Sequence, residues 1–237
     1  LCRAAYFLLT ELHSPENGIH LYQLAGRYAD VITELLNQLS QHAVPNRNAS
    51  HRSYWKDMAS TFFTKHLKGG VGPVVLLLEE EDQLGLVKTF EMQLHICNFF
   101  DLVAEEKFSD ALSLVDSVDI VPYAIDDVSR LAFRAKELDL SLRRTLDALL
   151  LQTMECTRLL YTRQKDEKRP ISMPSNGNHA HESLLSKQEV QEQVQHGREY
   201  VFTTLKERSQ ALVRYACDIG SMLKPDTPTK LSQLDMN

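Results

Sequence analysis

Three times along this chain a glutamate precedes a histidine by four residues: Glu16/His20, Glu91/His95 and Glu192/His196. Positions i and i+4 share a helix face, so each pair could turn a carboxylate and an imidazole toward a common metal. Metal chemistry is strict about spacing, however. Helical di-iron sites use Glu-x-x-His on two helices with two further inward glutamates, and thermolysin-like zinc uses His-Glu-x-x-His; neither pattern occurs. In a helical chain with nine histidines, such pairs are expected as i,i+4 partners on solvated faces. The run Glu79 to Asp82, "EEED", could gather oxygen ligands for Mg²⁺, but no phosphate-cradling glycine loop accompanies it, and it reads as a solvated helix start. His179 and His181 fall in a polar loop. Cys2, Cys97, Cys156 and Cys217 form no CxxC pair, and no serine or cysteine occupies a nucleophile elbow. No catalytic, cofactor-binding or metal-binding residue is assigned, and the chain is read as a non-enzyme.

The totals point the same way. Lys plus Arg number 26 against 32 Asp plus Glu, so no basic footprint marks a nucleic acid or an anionic membrane. The mixed-sign run Arg163 to Arg169, "RQKDEKR", has no interleaved aromatics and reads as a solvated helix end. No apolar stretch reaches the roughly 20 residues of a membrane span. Widely spaced cysteines suit reduced thiols in the cytosol or nucleus. Beginning on Leu1 without an initiator Met, the chain is expected to be a piece of something longer.

The elements that would hold these residues are helices. Ser14-Pro15 signals a helix start, and Tyr28, Val31, Ile32, Leu35, Leu36 and Leu39 recur at helical spacing after Gly26. A helix from about Tyr54 to Leu67 ends at Gly69-Gly70, carrying Trp55, Phe62 and Phe63. These, with Phe99 and Phe100, could line a groove for a partner helix, but aromatics at helical spacing are expected in the core. Pro73 to Leu78 could be a strand; with no second strand to pair with it, it is read as helix. Val87, Phe90, Leu94 and Cys97 make one face, Phe108, Ala111, Leu112 and Val115 another, and Val128, Leu131, Ala135 and Leu138 a third. Leu142, Leu146, Leu149, Thr153, Cys156 and Leu160 then mark a long, deeply packed helix that Asp139 restarts. Arg163 to His181 loses periodicity and gathers Pro, Ser, Asn and Gly, as an exposed loop does. A last helix gains its face at Val194, Val201, Leu205, Leu212, Ala216 and Ile219, and Pro225 and Pro228 are expected to end it.

The predicted architecture is all-α, an irregular solenoid of antiparallel helix hairpins without a sheet. Its parts are hairpins over 1–165, a loop or disordered insertion over 166–181, a C-terminal helix packing back over 182–223, and a tail over 224–237. The predicted core includes Leu35, Phe90, Leu94, Leu131, Phe133, Leu146, Leu149, Met154 and Leu205.

"DIVPYAIDDVSRL" followed by "AFRAKELDLSLRRTLDALLLQTM" resembles the C-terminal region of the nucleoporin-interacting component family, the inner-ring scaffold nucleoporin of ninety-three kilodaltons. "LYQLAGRYADVITELLNQLS", "FEMQLHICNFFD" with "DALSLVDSVDIVP", and the terminal "LDMN" agree in the same order, whereas 42–72 and 166–196 carry no such likeness. The resemblance implies a structural subunit of the nuclear pore complex at the nuclear envelope, supporting pore assembly and transport of protein and mRNA. It implies other nucleoporins as partners. A short segment of the RNA-recognition-fold linker nucleoporin would dock on this helical domain, and the large inner-ring scaffolds would bind an amino-terminal region that this sequence lacks. The resemblance rests on core-type positions, so no partner-binding residue is carried over. The alternatives are a vesicle-coat or trafficking scaffold of the same fold class and, more remotely, a helical metalloenzyme using the Glu-x-x-x-His pairs.

Overall fold

The computed structural model describes residues 1–45, 49–167 and 184–235. Every regular element among them is helical: α1 (Cys2–Thr10), α2 (Pro15–Leu24), α3 (Tyr28–His42), α4 (Ala49–His66), α5 (Pro73–Glu80), α6 (Leu84–Ala104), α7 (Phe108–Val118), α8 (Val128–Ala135), α9 (Leu140–Glu167), α10 (Leu184–Asp218) and α11 (Thr227–Leu234). Short 3-10 turns at Ile125–Asp127 and Gly220–Met222 lead into α8 and out of α10. Hairpins form where connections are short. The three residues 105–107 turn α6 back onto α7, and α1 folds onto α2 so closely that a Cβ on Gly18 would lie 2.6 Å from Leu9 Cγ.

The long helix α9 is the hub, packing against α3, α6, α7, α10 and α11. Its stripe of Leu142, Leu146, Leu149, Leu150, Met154 and Cys156 is buried, as the four-and-three spacing requires. Three threonines share that interior. Thr145, Thr153 and Thr157 each donate a hydroxyl to a carbonyl three or four residues earlier, at 2.7 to 2.9 Å, so the helix is enclosed without leaving a hydroxyl unpaired. Asp139 starts α9 by accepting the backbone N–H of Ser141 at 2.8 Å.

Polar cross-links join helices distant in sequence. Arg52 on α4 donates Nε to the carbonyl of Ala43 at 2.9 Å and Nη2 to that of Cys97 at 2.8 Å, and its Nη1 meets Asp101 on α6. Lys56 binds the other oxygen of the same carboxylate. At the C-terminal end of α7 the chain turns through Asp119, whose φ of +54° lies in the left-handed region that a short polar side chain tolerates. Its carboxylate accepts from Arg130 at 2.9 and 3.0 Å and from Arg134, both on α8.

Several expectations are corrected. Phe133 is not a core residue: it is 66% exposed. Val128, Leu131, Ala132 and Ala135 form the inward stripe of α8, and at 100° per residue Phe133 falls about 150° around the helix from its centre. The residues 224–237 are not merely a tail, because α11 lies there with Leu231 and Thr227 buried. Pro228 occupies the first turn of that helix, where no N–H is needed, and does not act as a terminator. Helix α9 continues through Arg163 to Glu167, past the point where the loop was expected to begin, and the remainder of that segment, 168–181, lies outside the described residues. Glu79 and Glu80 end α5 and do not start a helix. The other core assignments, Leu35, Phe90, Leu94, Leu131, Leu146, Leu149, Met154 and Leu205, are buried.

Candidate partner-binding site

Most of the chemistry-bearing residues remain apart. Glu16 and His20 are both exposed, Glu91 is exposed beside a half-buried His95, and the side chains of Glu192 and His196 lie outside the described residues, as do His179 and His181. No group of three or more His, Cys, Asp or Glu that could hold a metal occurs among the described residues. Cys97 and Cys156 are buried and Cys2 and Cys217 exposed, all as free thiols. Burial pushes the thiols of Cys97 and Cys156 up to about 12, which keeps them protonated and unreactive. Trp55, Phe62, Phe99 and Phe100 are buried, and Phe63 is half-buried. Phe62 and Phe63 pack their rings 6.2 Å from Phe90, so these aromatics are core.

Among the concave surfaces of the described residues, two are lined by aromatic side chains. One is a groove of about 600 Å³ between α2 and α4, with exposed Leu24 and Tyr54 on its walls and Phe62 in its floor. The aromatic stack of Tyr28, Phe62 and His66 closes one side, with centroids 5.0 to 6.5 Å apart. Burial holds the pKa of His66 below its usual value, with the neighbouring Lys65 charge acting in the same direction, so the imidazole there is neutral at pH 7.

The second is a cavity of about 340 Å³ where α7, the end of α9 and α10 meet. Its distinctive residue is Arg208, only 2% exposed. Position 208 follows Leu205 by three on α10, so an inward face carries it toward α7, where Asp116 accepts its Nη1 and Nη2 at 3.1 and 2.7 Å. The guanidinium lies 5.5 Å from the ring centroid of Tyr123, and Leu112 on α7 and Leu205 on α10 supply apolar wall. Arg208 Nε and Gln164 Oε1, both buried, have no hydrogen-bond partner among the described residues. Sequence reasoning missed this site because Asp116 and Arg208 are 92 residues apart and neither sits in a local motif. The only available signal was a charged residue on the apolar face of α10.

Comparison with known proteins bears on what such surfaces are for. The family model described as Nup93/Nic96 matches residues 9–230, nearly the whole chain. The chain belongs to the Nup93/Nic96 family. Among solved structures it is similar to the crystal structure of Nic96 SOL from Chaetomium thermophilum, with a TM-score of 0.70 at 14% identity. That match covers 98% of this chain and 33% of the Nic96 chain, so this sequence spans about a third of that relative. At such low identity the likeness speaks to the helical fold alone. No curated protein sequence matches the chain. Among the described residues of this family member, no helix is long and apolar enough to cross a membrane.

Proposed function

We propose that this chain is part of a structural scaffold subunit of the nuclear pore complex, located at the nuclear envelope, which supports pore assembly and nucleocytoplasmic transport by holding other nucleoporins rather than by catalysis. The observation that carries this reading is the Nup93/Nic96 match across residues 9–230, on a chain whose helices enclose one another around α9. The physics of the surface agrees with it. A frame whose helices pack around α9, and in which Arg52 ties α4 to α6, Arg130 ties α8 to the end of α7 and Arg208 ties α10 to α7, is stiff, and grooves on a stiff frame bind segments without an ordering cost on the frame's side.

More finely, a short segment of the RNA-recognition-fold linker nucleoporin docks on this helical domain, and the large inner-ring scaffolds bind an amino-terminal region of the protein. Calorimetric titration of the purified chain with the purified linker nucleoporin tests the first of these. A saturable complex is expected. An absence of heat and of co-elution on gel filtration would remove this partner.

A further inference from the structure

We infer that the outward face of α5 is a docking surface for a cationic amphipathic helix of a partner protein, one that sets Lys or Arg beside Leu, Ile or Val; this rests on the scaffold reading and adds the chemistry of one partner. The register of α5 defines the surface. Val74, Val75 and Leu78 are buried, so Pro73, Leu76, Leu77 and Glu80, at i, i+3, i+4 and i+7, make the opposite stripe. All four are exposed, Leu76 at 58% and Leu77 at 43%. Val71 just before the helix and Leu84 just after it extend the exposed apolar surface at either end. A helix that is apolar on both faces is ordinarily covered on both, and among the described residues α5 is covered on one.

Charge decides what covers the other face. Glu80 lies one turn from both leucines and Glu81 one turn from Leu77, and with Glu79 and Asp82 they make a run of exposed carboxylates at the C-terminal end of α5. That end of a helix already carries partial negative charge, so these acids deepen an unfavourable field. None of them makes an ion pair among the described residues. Arg27 feels the charge of Glu81 but is paired with Asp30 at 2.7 Å. Among the described residues no three acids converge on a metal site, so a divalent ion does not fit this run. Nucleic acid and anionic lipid share its sign and are repelled. A second copy meeting this face by two-fold symmetry would bring the same carboxylates together. A partner helix with aliphatic side chains at helical spacing and Lys or Arg one turn away answers both halves of the surface.

Amide NMR of the whole chain, titrated with a model helix of leucines and lysines at amphipathic spacing, tests this. The signals of 73–82 are expected to shift saturably, and to shift less as salt is raised. Two further peptides divide the contributions: glutamate in place of every lysine, and alanine in place of every leucine, each expected to bind about tenfold more weakly or worse. Leu76→Ser with Leu77→Ser, at exposed positions that leave the core intact, should weaken the leucine and lysine helix to a similar degree, as should Glu80→Lys with Glu81→Lys. Glu199→Lys with Glu207→Lys, the same charge change at exposed positions on α10, should not. Shifts scattered over other acidic surfaces, a glutamate peptide that binds as tightly as the lysine one, or binding that survives Leu76→Ser with Leu77→Ser would overturn the inference. Sedimentation of the chain alone addresses the other occupant: a dimer that depends on Leu76 and Leu77 would give this face to a second copy and overturn it. Imaging of the tagged protein at the nuclear rim separates the two levels. A rim signal without peptide binding removes only the docking surface, and peptide binding by a protein absent from the rim removes the scaffold reading.

Discussion

Arg208 on α10 and Asp116 on α7 form a two-pronged ion pair, at 3.1 and 2.7 Å, across 92 residues of sequence. The arginine is almost wholly buried and the carboxylate about one-third exposed. Removing one member strands the other in a low-dielectric site, which costs more than the intact pair contributes. Asp116→Ala should therefore destabilise the chain by about 3 kcal/mol, read as a lower urea midpoint. Asp116→Ala combined with Arg208→Met should recover most of that loss. A double variant as unstable as the sum of the single ones would refute this reading of the pair.

Gln93 on α6 is fully buried, and among the described residues its carboxamide meets no oxygen or nitrogen partner, only the weakly bonding thiol of Cys97 one turn on. An apolar side chain of similar length removes this poorly satisfied carboxamide without opening a cavity. Gln93→Met should stabilise by about 1–2 kcal/mol, seen as a higher midpoint with an unchanged slope. Destabilisation would mean that the carboxamide is satisfied by something, such as an internal water.

The register of α8 separates two neighbours. Leu131→Ala should cost about 2–4 kcal/mol, because Leu131 is buried, while Phe133→Ser should change stability by less than about 0.5 kcal/mol, because Phe133 faces solvent. Comparable losses at both positions would place Phe133 inside after all.

That contrast shows what the sequence could reveal. The spacing of Leu142, Leu146 and Leu149 made α9 legible, since a stripe of about 100° has to be covered by neighbours. Phe133 was misread because likeness to a family suggested a core residue, although the period set by Val128, Leu131 and Ala135 already pointed it outward. Helix α11 was hidden by Pro225 and Pro228, since proline marks both the end of one helix and the first turn of the next. The cavity around Arg208 depends on contacts between residues far apart in the chain, which periodicity does not record.

The dock of α11 rests on Asp147 of α9, whose Oδ1 accepts the N–H of Lys224 at 2.9 Å and the hydroxyl of Thr227 at 2.7 Å. Asp147→Ala should cost about 1 kcal/mol, like loss of a helix cap. Hydrogen exchange should quicken over 227–234 while α3 and α6 keep their protection. Uniform acceleration across the chain would mean that α11 does not open separately.

Acid should weaken the α4–α6 junction. Burial alone would raise the pKa of Asp101, but hydrogen bonds from Lys56 and Arg52, reinforced by their charges, outweigh it and hold the pKa below the ordinary carboxylate value. At the α7–α8 turn, the hydrogen bond from Arg130 is the largest influence on Asp119; burial opposes it, and the hydrogen bond from Arg134 with the charges of both arginines leaves the pKa lowered. A carboxylate depressed in the folded state contributes stability that is present above its unfolded pKa of about 3.9 and is lost as pH falls through the folded value. Asp101→Asn should flatten the decline in stability below about pH 4 and leave the slope between pH 6 and 8 unchanged. An acid limb identical to the parent's would remove Asp101 from that role.

The central claim is that this helical framework belongs to the nuclear pore and holds other proteins there. Fluorescence imaging of the protein that contains this chain, tagged at its own locus, tests it most directly. The account predicts a punctate rim at the nuclear envelope that coincides with other nucleoporins. A signal on Golgi or vesicle membranes with no nuclear rim would contradict it.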